Sequence, residues 1–255
     1  TDKNDAQVIA EIARLDCLSD VLNLEVHVKS QTAQEILTLT RARESTIQRS
    51  IDVYNQIRAI YKTHGHSLPH VKPECFANLV SETVSQLPDL VALAVRALII
   101  AYDPLQQSIR MMTQQIEMLA KQDHNAQLLM TTPEVGPITA LYFAGCIGDP
   151  KRFSEAKSVG SYLGLTPLDY SSGQQQHQGS ISKRGDPLMR KLLVGVARRI
   201  LQRKSRINAL KKWGQKKEKK LGANRAAIAL ARHLAVIMAA MLMKPLFVLN
   251  VPLGT

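Results

Sequence analysis

The densest set of side chains able to do chemistry lies between Leu163 and Arg190, LGLTPLDYSSGQQQHQGSISKRGDPLMR. Ser171 and Ser172 stand directly before Gly173. A small residue beside glycine leaves a hydroxyl open to the close approach of a phosphodiester. A serine hydroxyl becomes an effective nucleophile only when a base or a metal ion activates it; His177 is near, within a glutamine-rich stretch. Lys183, Arg184 and Gly185 follow, two cations on a turn with the donors to clamp phosphate oxygens. The same residues have ligand-free readings: the serines as a turn pair, and Lys183-Arg184-Gly185 as a basic turn before the helix that Pro187 opens. A second reactive pair opens the chain. Asp2 and Asp5 lie three apart, on one face of a first helical turn. There acids either complement the helix dipole or converge on a hard divalent cation such as Mg²⁺.

Composition narrows the partner. The 255 residues are 45% hydrophobic and 21% charged, ordinary for a globular chain long enough to bury a core. The formal net charge of +12 is not ordinary and points to a polyanion, with nucleic acid ahead of an acidic membrane surface. Aromatic residues make up only 4%, which argues against a base-stacking platform. Cys17, Cys75 and Cys146 are odd in number and lack metal-ligand spacing; they read as buried, reduced residues of a cytoplasmic protein. The apolar run from Ala226 to Met243 is broken by Arg232 and His233 and reads as a buried helix, with no membrane span.

The elements that position these groups read as helices. A capping-box pattern at Thr32 and Glu35 opens a long helix that Gly65 closes, with Arg41, Arg43, Arg49 and Arg58 along it. The proline-marked segment from Ser67 to Pro88 reads as a break. A second long helix runs from about Pro88 to Lys121, where Pro104 is expected to kink or split it. Together they predict an antiparallel hairpin, a coiled-coil arm or dimer surface. From Gln127 a short helix, a turn with Pro133 and Gly136, and an apolar helix ending at Gly148 resemble a helix-hairpin-helix, with Glu134 where glycine is usual. A helix from Ser154 to Gly164 precedes the polar loop, and another runs from Pro187 to about Gln202. The basic cluster between Arg203 and Arg225, with Lys211, Lys212, Lys216 and Lys217 around Trp213, predicts contact with a nucleic-acid backbone. Arg190 and Lys191 join it. Asn224 begins a last buried helix.

Taken in order, TDKNDAQ, VGPITA, IGDPKRF, LGLTP, YSSG, ISKRGDPLMRKLL and NRAAIALARHLA resemble the DEDD-type insertion-sequence transposases, whose relatives include the Piv-like DNA invertases. The resemblance extends over nearly the whole chain. It implies a mainly α chain in three parts: residues 1–22 as the terminal helix of a truncated RuvC-like domain, residues 23–125 as a helical arm, and residues 126–255 as a transposase domain. By the same resemblance Ser172 is the nucleophile, with Ser171 as the alternative. Asp2 and Asp5 are the last two of four metal-binding acids, the first two lying before residue 1, so Mg²⁺ is expected on a cluster incomplete in this chain. The expected function is cleavage and rejoining of DNA strands, in a prokaryotic oligomer that pairs with DNA and a structured guide RNA. A different class of function stays open beside it, a non-catalytic nucleic-acid-binding or oligomerisation module. A metal-independent phosphodiesterase using His177 is the remotest reading.

Overall fold

The computed structural model describes residues 27–169, 178–202 and 209–244, together with residues 6, 7, 10, 11 and 14. Thr1–Ser30 form one contact unit and Gln31–Thr255 a second. In the first unit the described residues from 6 to 14 are helical, and Arg14 Nη2 donates to Glu11 Oε1 at 3.2 Å across one turn. Asp2 and Asp5 lie outside the described residues.

The second unit is mainly α, as expected. Its arm is built from α1 (Gln31–Thr63), α2 (Pro73–Thr83) and α3 (Asp89–Gln122), with a 3-10 turn at Val84–Gln86. Helix α1 starts one residue before the expected cap at Thr32, and Glu35 accepts from Gln31 Nε2 at 3.0 Å. Its end follows expectation: Gly65 takes the left-handed φ of 81°, and the His66 N–H reaches back to Tyr61 O at 2.9 Å. Arg43 Nε donates to Thr113 Oγ1 at 2.6 Å, and Gln106 Nε2 to Ser50 Oγ at 2.5 Å. Partners of α1 thus fall in number as α1 rises, so α1 and α3 run antiparallel.

Two expectations for the arm are corrected. Pro104 does not split α3, which is continuous from Asp89 to Gln122. Proline removes the hydrogen bond to the carbonyl of Ile100, which stands on the solvent side, while Val95, Tyr102 and Ile116 are buried on the other side. The segment read as a break holds α2, because Pro73 sits at a first-turn position, where its missing N–H costs nothing. Phe76 of α2 packs edge-on against Tyr102, with centroids 5.3 Å apart, and lies 4.3 Å from Tyr54. With Ile57, Tyr61, Val80 and Val95 they form a small core at the arm's end. Cys75 is exposed, contrary to expectation; Cys146 is buried, and Cys17 lies outside the described residues.

The remaining elements form a second core. They are α4 (His124–Met130), α5 (Pro137–Ile147), a 3-10 turn (Pro150–Arg152), α6 (Ser158–Tyr162), strands β1 (Pro167–Asp169) and β2 (Gln178–Ile181), α7 (Pro187–Gln202), α8 (Ala209–Leu221) and α9 (Ala223–Met243). Helix α5 is buried from Thr139 to Phe143 and again from Gly145 to Ile147, so it forms the centre of this core. The helix expected from Ser154 to Gly164 begins late, since residues 153–157 form bends and turns and α6 starts only at Ser158; its end follows expectation, with Gly164 left-handed at φ 67°. Helix α9 is apolar and long enough to cross a membrane by length and composition. Here it packs against α7, α8 and α6, burying Leu230, Leu234 and Met238.

Candidate nucleic-acid interface

The polar loop leaves β1 and returns through β2, which pair antiparallel with Pro167 opposite Ile181 and Asp169 opposite Gln178. Ser171, Ser172 and His177 lie outside the described residues. What the structure defines is the base on which their loop stands. Ser182 N–H donates to Thr166 O at 2.9 Å, and Lys183 N–H to Gly164 O at 3.2 Å. A methyl group at Gly164 would lie 2.7 Å from Arg184 N. One at Gly185 would lie 2.4 Å from Tyr162 O and from Leu163 C. The two segments touch backbone to backbone, which glycine alone permits. Lys183 adopts a left-handed φ of 56° to make the turn. Arg190 then fastens it, with Nη1 donating to Gly185 O at 2.5 Å and to Leu163 O at 3.3 Å.

Asp186 ends the turn and caps α7, its Oδ1 accepting from Met189 N–H at 2.8 Å. Its Oδ2 accepts from Arg41 Nη2 at 2.7 Å and from the Tyr142 hydroxyl at 3.0 Å, while Arg41 Nε donates to that hydroxyl oxygen at 3.0 Å. Three distant segments therefore meet at one carboxylate. Burial alone would push the Asp186 carboxyl up; the bonds from Met189, Arg41 and Tyr142 outweigh it and hold the group below its usual range. Burial pushes the Tyr142 phenol up, and the bond to Asp186 raises Arg41, so at neutral pH the three stand as carboxylate, phenol and guanidinium. One turn further along α7, Lys191 Nζ pairs with Glu44 of α1.

Lys183, Arg190, Lys191 and Arg198 line an open groove of about 570 Å³ beside this base. Arg198 Nη2 donates to Asn224 Oδ1 at 3.4 Å on its far wall. The expected phosphate-binding residues Lys183, Arg190 and Lys191 are thus brought together. Arg190 also has a structural task, holding the turn. Arg184 is exposed on the same turn without lining the groove. A second basic surface belongs to α8, where Lys212, Lys216 and Lys219 recur one turn apart and are exposed. Lys217 Nζ lies 5.4 Å over the ring of Trp213, which stacks on His233 with centroids 4.7 Å apart and planes 13° off parallel. Burial lowers the His233 pKa and favours the neutral ring.

Lys211 departs from the expected solvated cluster. It is 6% exposed, because α8 turns that side inward, with Gly214 against Leu201 and Leu230. Among the described residues no three His, Cys, Asp or Glu side chains are grouped to hold a metal ion; Asp2 and Asp5 lie outside them. Sequence reasoning missed Arg41, Tyr142 and Asp186 as a set. One local signal was present, since Asp before Pro at a helix start is a capping pattern. Nothing local pointed to Arg41 or Tyr142. At the other expected turn, Glu134 takes a left-handed φ of 63°, the backbone that the glycine it replaces would adopt. Its carbonyl accepts from Arg199 Nη2 at 3.2 Å.

Residues 126–212, from α4 into α8, match the family model described as Transposase IS116/IS110/IS902 family. The chain is 28% identical over 245 residues to a transposase for insertion sequence element IS1111A from Coxiella burnetii, covering 94% of this chain and 66% of that protein. It is 29% identical over 247 residues to a probable family 20 transposase from Pseudomonas aeruginosa, covering 94% and 71%. A pilin gene-inverting protein from Moraxella bovis is 34% identical over 99 residues, 38% of this chain and 30% of its own length. The chain spans about two thirds of the length of the first two relatives. Residues 126–212 are therefore similar to the IS116/IS110/IS902 transposase family, within a chain that aligns with transposases over 94% of its length.

Proposed function

We propose that the chain acts on DNA as a transposase or recombinase, cutting and rejoining strands through a serine. The observation that carries this reading is the position of the matched region. It includes strands β1 and β2, between which Ser171 and Ser172 fall in the sequence, the glycine-locked turn after β2, and the cations Lys183, Arg190, Lys191 and Arg198 of the groove. In the reaction, Ser172 Oγ attacks the phosphorus of a phosphodiester, and the bond to the leaving oxygen of the deoxyribose breaks. The serine proton leaves to a base and the departing alkoxide takes one up. A DNA hydroxyl then attacks the phosphoserine and returns Oγ to the enzyme. Ser171 is the alternative nucleophile. Mg²⁺ on Asp2, Asp5 and further carboxylates would supply the activation that a free serine lacks.

Lys183, Arg190, Lys191 and Arg198 would hold phosphates near the loop, with Lys212 and Lys216 on the second surface. A structured RNA and further copies of the chain complete the partners in this reading. Binding should therefore weaken steeply as salt rises, by counterion release. The decisive experiment pairs Ser172→Ala with Ser171→Ala in a strand-cleavage assay on the element's DNA ends. Loss of cleavage and of the covalent protein–DNA adduct in Ser172→Ala alone, with DNA binding kept, supports it. An adduct that persists in both variants rejects the serine chemistry. A second reading, a binding and oligomerisation module without catalysis, is favoured by one observation: both basic surfaces and the arm are fully formed from residues that need no reacting group.

A further inference from the structure

Helix α3 buries one side against α1 and α2 through Ala92, Val95, Tyr102 and Ile116. Its opposite side is apolar and open. Leu90 is 82% exposed, Leu93 63% and Ile100 73%, with exposed Ala97 and Pro104 completing the row. Continuing at the same three-and-four spacing come Gln107, Met111, Gln114 and Met118, all exposed. This is a heptad stripe sustained over four repeats on the outer side of a 34-residue helix. A stripe of this kind wants another helix, and its flanks identify which.

The residues that precede the first position of each heptad are Arg96, Asp103, Arg110 and Glu117. They alternate in sign, all are exposed, and none has an ion-pair partner among the described residues. The other flank is Ala94, Ala101, Ser108 and Gln115, small or neutral throughout. In a parallel pair of helices these two unlike flanks would face each other and the charges would find no partners. In an antiparallel pair each flank faces its own copy.

We infer that the stripe is covered by α3 of a second copy of this chain, running antiparallel in one register. That register sets Arg96 against the partner's Glu117 and Asp103 against the partner's Arg110, and symmetry repeats both pairs. The same register stacks Ile100 on the partner's Met111 and Leu93 on the partner's Met118. At the centre it brings Pro104 to the partner's Gln107, an amide donor at the level where proline leaves the Ile100 carbonyl without its intrahelical N–H. Charge pairing and core layering are separate requirements, and one register meets both. On the second flank Ala101 faces the partner's Ser108, small enough for close approach of the helices.

The seam deepens the self-association in the proposed function and stands apart from its chemistry. A chain that dimerises but leaves DNA uncut would remove the serine reaction and keep the seam; a monomer that cuts DNA would do the reverse. Sedimentation equilibrium of the full chain at micromolar concentration should give a dimer. Arg96→Glu with Arg110→Glu makes the flank wholly acidic, and Asp103→Arg with Glu117→Arg makes it wholly basic. Each variant alone should dissociate at least about a hundredfold more readily, since facing like charges cost several kcal/mol. Mixing the two should restore the dimer. These four side chains are exposed, so circular dichroism should show the fold unchanged. In a Cys75→Ser chain, Ile100→Cys with Met111→Cys should cross-link on oxidation. Ile100→Cys alone should not, because the two copies of that residue would stand roughly 16 Å apart along the seam. A monomeric wild type, charge variants that stay dimeric, mixing without recovery, or cross-linking by Ile100→Cys alone would each overturn the inference.

Discussion

The end of the arm and the loop-bearing body pack by different means. The arm closes a small core with aromatic rings, Tyr61, Phe76 and Tyr102, inserted from three helices. The body also buries two rings, Tyr142 and Phe143, but around them its last helix brings backbones close through small side chains: alanines 226, 227, 231, 235 and 239 of α9 are all buried. Large rings fill space with few residues, which suits a slender hairpin. Small side chains let helices and turns meet at backbone distance, and Gly164 and Gly185 carry that to its limit at the loop base. The arm should therefore respond to lost volume and the body to added volume.

The largest expected effect is on the arm. Phe76→Ala should destabilise by about 4 kcal/mol, seen as lost amide protection in α2 and the facing parts of α1 and α3 while α9 stays protected. Unchanged protection in α2 would show that the arm does not depend on its rings. Next, Gly185→Ala adds one methyl against backbone at 2.4 Å and should cost about 3 kcal/mol, measured by denaturant unfolding. A loss under half of that would mean the turn can move aside.

A smaller change comes from Asp186→Ala, which removes a cap and leaves the Tyr142 hydroxyl and Arg41 without their acceptor; about 2 kcal/mol is expected. The sign with pH follows from the lowered carboxyl. The contribution of Asp186 is complete above the unfolded value of about 4 and disappears as pH falls through the lower folded value. Wild type and variant should therefore converge in stability in acid. A constant gap across that window would assign the effect to shape alone. The smallest effect has the opposite sign. Glu134→Gly relieves a left-handed backbone and should stabilise by about 1 kcal/mol, raising the melting temperature.

How much of this was legible follows from range. Helices α1, α3, α7 and α9 could be read from periodicity, and the Gly65 stop and Pro187 start from local backbone chemistry. The short helix α2 could not, since the prolines around it look the same as those of a loop, and α6 was read with its start four residues too early. Pro104 misled because its cost depends on whether its side of the helix faces solvent, and that is a tertiary fact. The candidate site divides in the same way. Lys183, Arg190 and Lys191 were expected from charge near the loop, whereas the bond from Arg41 to Asp186 spans 145 positions. Of the four arginines noted on α1, Arg41, Arg43 and Arg58 bond within the fold. A sequence shows their charge but not their direction.

The meeting of Arg41, Tyr142 and Asp186 also has a mechanical consequence. Helix α1 is a rod of 33 residues, on the order of 50 Å long, which Arg41 in its first half bolts to Asp186, the cap of α7, by a charged bond. That residue follows immediately on the turn that closes the loop. A push or twist applied at the far end of the rod has a short path to the loop base, through one guanidinium and one carboxylate. The arm is a lever as well as a surface, with its fulcrum at Asp186.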